Sequence, residues 1–68
     1  MIYFEKMGRG PHQVPGYVAA GKIASIRQCP VNEGITEIYT LDGKIITVFG
    51  KVQDVAAHIL DESTNHIF

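Results

Sequence analysis

The sequence predicts a small α+β domain: a three- or four-stranded, mainly antiparallel sheet with one C-terminal amphipathic helix packed on a face. Three observations carry that expectation. Two runs rich in β-branched and aromatic residues, 35–41 and 44–49, are separated by Asp42-Gly43, a pair that tolerates the positive φ angles of a tight hairpin turn. Directly after them Val52, Val55, Ala56, Ile59 and Leu60 recur at i, i+3, i+4, i+7 and i+8, an apolar stripe at helical period. Hydrophobic residues make up 46% and charged residues 19% of 68 positions, the balance of one small folded domain rather than a disordered chain.

At the start, Ile2, Tyr3 and Phe4 favour a strand, which Gly8-Arg9-Gly10-Pro11 stops. Residues 8–16 hold Gly8, Gly10, Gly16, Pro11 and Pro15, residues that fix turns and interrupt ladders, and read as a loop. An apolar segment from Tyr17 follows. Ala19-Ala20-Gly21-Lys22 reads as a turn, bulge or strand, and a strand is expected from Ile23 to Cys29. Residues 30–34 form a second loop ahead of the hairpin.

A two-residue turn at 42–43 sets the hairpin register. Tyr39 then faces Ile46 and Glu37 faces Val48 on one side, whereas Thr40 faces Ile45, Ile38 faces Thr47 and Thr36 faces Phe49 on the other. The first face, with Ile35, Tyr39, Leu41, Ile46 and Val48, is the expected core. The second still carries Ile38, Ile45 and Phe49, more apolar side chains than a solvated face needs. A cover on both sides is therefore expected: on one the helix at about 51–61 with Gly50 as its cap, and on the other the C-terminal tail, the N-terminal strand or, as the favoured reading, a second copy of the chain. Ile38, Ile45 and Phe49, with Ile67 and Phe68 of the tail at 63–68, are the expected interface residues.

Composition excludes several function classes. Six Lys+Arg against seven Asp+Glu supply no broad basic surface, so nucleic acid is an unlikely partner and weak binding to it only a third reading. One cysteine forms no internal disulfide and no Cys-rich zinc module; His12, Cys29 and His66 fall in separate segments without ligand-pair spacing, so no metal and no cofactor is expected. His58 lies four residues from Asp54 and from Glu62 on the predicted helix, a spacing for local pairing. No apolar run reaches the ~20 residues that span a bilayer, and residues 1–6 do not read as a signal peptide; a cytoplasmic location is expected.

Two loops have the spacing of anion sites. Gly16-Tyr-Val-Ala-Ala-Gly21-Lys22 matches a phosphate-binding loop until Ile23 takes the place of the Ser or Thr that would hold magnesium. Gly8, Arg9, Gly10 and His12 bring backbone freedom, a planar donor fork and a second donor to one loop, and are the candidate ligand-binding residues for a small anionic molecule. No nucleophile and base are placed together, so no catalytic residues are assigned and an enzyme is not expected.

The strand Met1-Ile2-Tyr3-Phe4, the segment from Tyr17-Val18 to Ile26, the hairpin from Ile38 through Asp42-Gly43-Lys44 to Val48, and Lys51-Val52-Gln53-Asp54-Val55 together resemble the small flagellar FlbD family, also called swarming-motility SwrD proteins. The resemblance spans about the first sixty residues on hydrophobic pattern. The loops at 8–16 and 30–34 are longer here than in that family. The resemblance implies a non-enzymatic accessory protein supporting motility, and carries over no catalytic residue. The leading expectation is a protein-interaction module acting as a homo-oligomer with a protein partner; the alternative is capture of a small anion or nucleotide signal, as a phage-encoded inhibitor of host defence would do.

Overall fold

Strand β1 (Ile2–Met7) is followed by β2 (Val14–Val18), a single 3-10 turn (Ala20–Lys22), β3 (Ile23–Gln28), β4 (Ile35–Thr40), β5 (Ile45–Phe49) and the helix α1 (Val52–Asn65). The structure, a computed structural model, describes residues 1–8 and 13–65. The five strands form one sheet in the order β2-β1-β5-β4-β3, with every neighbouring pair antiparallel. The α+β class and the single C-terminal helix are as expected, but five strands stand where three or four were predicted.

The additional strand, β2, begins inside the expected loop and runs two residues past it. Val14-Pro15-Gly16 extends beside β1, with Ile2 opposite Val18, Tyr3 opposite Tyr17 and Phe4 opposite Gly16. An edge strand needs only one side of its backbone for the ladder, so it tolerates Pro15. Gly16 makes room for a neighbour: a Cβ there would lie 2.7 Å from Met7 Sδ, so the flexible Met7 side chain would have to move aside.

The hairpin at 35–49 is present, in a register one residue away from the expected one. Tyr39 faces Ile45, Ile38 faces Ile46, Glu37 faces Thr47 and Thr36 faces Val48. The loop has three residues rather than two. Gly43 N–H donates to Thr40 O at 3.1 Å, Thr40 N–H donates to Lys44 O at 2.9 Å, and Gly43 sits at φ +86°. This is a turn closed by a glycine in the left-handed region, the other common hairpin loop. The Thr40 hydroxyl selects it, bonding the Asp42 carboxylate and accepting from Lys44 N–H at 3.0 Å.

The slip reassigns the faces. Ile38, Thr36, Val48 and Ile46 share one side with Ile2, Phe4 and Val18, and α1 packs on it through Val55 and Ile59. Ile38 is 0% exposed, so it is a core residue and not part of an interface between copies. Tyr39, Ile35 and Leu41, expected in the core, lie on the opposite side or in the turn. Each fully buried aliphatic side chain contributes about 1.5–3 kcal/mol. Thr36 is buried among them because its hydroxyl donates to Gly50 O at 2.9 Å.

The sheet has a seam. Among the described residues β1 meets β5 at one register pair, Met7 opposite Val48, with Gly8 N–H donating to Thr47 O at 2.8 Å. The helix bridges it, touching β1 as well as β3 and β4. His58 Nε2 donates to Tyr3 O at 2.6 Å and its ring meets Phe4 edge-on, so this histidine fastens the helix to β1 rather than pairing along its own helix. α1 begins at Val52, whose N–H reaches Gln28 Oε1 at 3.4 Å. The position ahead of it is Lys51, so Gly50 is not the cap; at φ +137° it turns the chain from β5 into the helix and donates to Gly34 O at 2.6 Å. The helix runs on to Asn65, beyond the expected end near Asp61, and Ser63-Thr64-Asn65 belong to it.

Candidate interaction surface

One helix covers one face of a sheet; alternation along each strand then decides what the other face presents. On β5 the residues alternating with the half-buried Ile46 and the buried Val48 are Ile45, Thr47 and Phe49, of which Thr47 is itself buried; on β4 they are Ile35, Glu37 and Tyr39; on β1 and β2, Tyr3 and Tyr17. Ile45 is 48% and Phe49 53% exposed, and Tyr3 on β1 and Tyr17 on β2 are exposed as well. The rings are held in place by neighbours. Tyr3 and Tyr17 lie 5.3 Å apart, tilted by 58°. Lys6 Nζ stands 5.4 Å over Phe49, and the Arg27 guanidinium 5.2 Å over Tyr39.

A polar strip crosses this face. Arg27 Nε donates to Glu37 Oε1 at 3.0 Å, and Tyr39 Oη donates to the same oxygen at 3.4 Å. The bond to Glu37 raises the Arg27 pKa above its ordinary value, aided by Tyr39. The guanidinium is charged at any relevant pH in either case, and an exposed pair of this kind is screened by solvent and contributes little to stability. Its use is orientation: it pins Arg27 flat against the tyrosine ring.

Of the expected interface residues, Ile45 and Phe49 stand on this open face, Ile38 lies beneath the helix, and Ile67 and Phe68 fall outside the described residues. Arg9, Gly10 and His12 also fall outside them. Gly8 is described, at φ +105°, and its N–H is already bonded to Thr47 O, so that donor is spent within the fold. The Gly16–Lys22 spacing is divided between β2 and the 3-10 turn, with β3 starting directly after it at Ile23, and does not curl around an anion between a strand and a helix as phosphate loops do. Among the described residues no three His, Cys, Asp or Glu side chains converge as a metal-binding group, and no helix is long and apolar enough to cross a membrane.

Two grooves flank the helix. One, of about 450 Å³, opens at the seam between β1 and α1, lined by Tyr3, Lys6, Phe49, Asp54 and His58 among others. The second runs along the outer side of β3 and is lined by Ile23, Ser25, Ile26, Ala56, Ile59 and Leu60. The apolar stripe of the helix was legible in the sequence, but its outer edge, Ala56 and Leu60, is exposed rather than buried. Adjacent Ile59 and Leu60 were the available signal, because residues one apart differ by about 100° around a helix and do not share one contact. Compared with family models, curated proteins and solved structures, the chain matches none.

Proposed function

We propose that this chain is a non-enzymatic protein-interaction module that works as a homo-oligomer and offers its open sheet face to a protein partner. The observation that carries the reading is the exposure of Ile45 and Phe49, at the two ends of β5, on the face that the helix leaves uncovered, with Tyr3 and Tyr17 also exposed on β1 and β2. Large apolar side chains gathered on one sheet face, rather than scattered, mark interaction surfaces. Aromatic rings held by a neighbouring cation or ring lose little entropy on binding, which suits them to anchor a contact. Chain length points the same way: a domain of this size buries only about 60% of its unfolded surface, and association adds the burial that it lacks. An accessory role in motility is the form that the resemblance to the FlbD and SwrD proteins gives this reading.

Native mass spectrometry of the purified chain tests it. The expected result is an integer multiple of the chain mass, with no additional mass lost on denaturation. A bare monomer across the whole concentration range overturns the oligomer. A retained small molecule overturns the reading in favour of ligand capture.

A further inference from the structure

The two edges of the sheet are not equivalent. β2 carries Pro15, which has no N–H to donate, and Gly16, devices that blunt an edge against pairing. β3 is Ile-Ala-Ser-Ile-Arg-Gln, without proline and with one charge. Its ladder to β4 is regular from Ser25 to Gln28, and Cys29 N–H donates to Ile35 O at 3.0 Å. Antiparallel pairing alternates, so Ser25 and Arg27 turn their backbone groups toward β4, like Cys29, whereas Ile26 and Gln28 turn theirs outward. Beside this edge, on the helix side, runs the groove lined by Ile23, Ile26, Ala56, Ile59 and Leu60, with Leu60 68% exposed.

We infer that β3 and this groove are the contact between two copies of the chain, paired antiparallel about a rotation axis at Ile26 to make one ten-stranded sheet. This rests on the oligomer proposed above and names its geometry. The occupant is a second copy because the surface is complementary to itself. The axis sets Ile26 against Ile26 of the second copy as a hydrogen-bonded pair, which uses the outward N–H and C=O of both. It sets Arg27 opposite Ser25 of the second copy, so like charges do not meet across the ladder, and Arg27 keeps its bond to Glu37. The same rotation brings the two apolar grooves together, with Ala56, Ile59 and Leu60 of each helix meeting over the joined strands; the groove residues include no charge to oppose. Isologous contacts of this kind are the commonest in homo-oligomers. The open face with Ile45 and Phe49 then continues across both copies, available to a partner.

Three variants and one label separate this contact from the alternatives. Leu60→Arg and Ala56→Arg place a cation on exposed helix positions and leave the core alone. Each is expected to reduce the native mass from two chains to one while the far-ultraviolet spectrum stays the same. Phe49→Asp is expected to leave two chains. In wild type, amide exchange at Ile26 and Gln28 should slow as protein concentration rises, and in Leu60→Arg that dependence should be lost. Dissociation by Phe49→Asp with both arginine variants still dimeric would place the contact on the open face and overturn the inference while the oligomer stands. Fast, concentration-independent exchange at Ile26 in a dimer would overturn it also. A wild-type chain that is monomeric throughout removes the oligomer itself.

Discussion

Ile38→Ala and Ile45→Ala form a pair that tests the hairpin register. With a two-residue turn the two isoleucines share a face, and truncating either should cost about the same. With the three-residue turn they lie on opposite faces, Ile38 fully buried and Ile45 half exposed. Each substitution removes three carbon groups, at about 0.8 kcal/mol for each one fully buried. For Ile38 that is about 2.4 kcal/mol, and the cavity left between Ile26, Ile46 and the helix adds roughly 1 kcal/mol more. For Ile45 about half of the transfer contribution applies and no enclosed cavity forms, so the expected cost is about 1 kcal/mol. A domain of this length has roughly 3–10 kcal/mol in total. Ile38→Ala therefore removes a large share of the stability and Ile45→Ala a small one. Urea unfolding followed by circular dichroism, at one protein concentration, measures both. Equal midpoints, or a larger loss for Ile45→Ala, would refute the register and the face assignment with it.

The turn and the seam yield three further predictions. Gly43→Ala should destabilise by about 1–2 kcal/mol, because the space around it is open and the whole cost is the left-handed backbone; a midpoint unchanged from wild type would mean that the turn adopts another form. His58→Ala should cost about 0.5–1.5 kcal/mol by removing the exposed bond to the Tyr3 carbonyl and the ring contact with Phe4, and amide exchange should quicken in β1 and β2 more than in β3 and β4; uniform acceleration would count against a seam bridged by the helix. The Thr40 hydroxyl, ahead of Lys44, holds the Asp42 carboxyl below its ordinary value. Its contribution to stability is therefore complete above the unfolded-chain value of about 3.9 and fades as pH falls through the lower folded value. An NMR titration should place Asp42 below ordinary aspartate, and Thr40→Val should bring it back; an unchanged titration in the variant would assign the shift elsewhere.

The elements and their order were largely legible in local sequence. β-Branched residues on either side of Asp42-Gly43 specify a hairpin, and Val52, Val55 and Ile59 at helical period specify the helix, because both are short-range consequences of side-chain spacing. The strand β2 was not legible, since Pro15 and Gly16 argue against a ladder unless the segment lies at an edge, and edge position is a property of the assembled sheet. Register follows the turn: Thr40 bonding to Asp42 and Lys44 supports a three-residue loop over the two-residue loop that Asp-Gly also permits, and burial of Ile38 and Val48 beneath the helix goes with it. Because side chains alternate with period two, the one-residue difference in register puts Ile38 in the core and leaves Ile45 and Phe49 outside. The candidate surface follows from this choice. Sequence by itself determined that the sheet would carry apolar residues on both faces and that the helix could cover one. Only the tertiary structure decided which face, because α1 is fastened over Phe4 and Ile38 by the His58 bond to Tyr3 and by the Gly50 turn, contacts that join residues far apart in the chain.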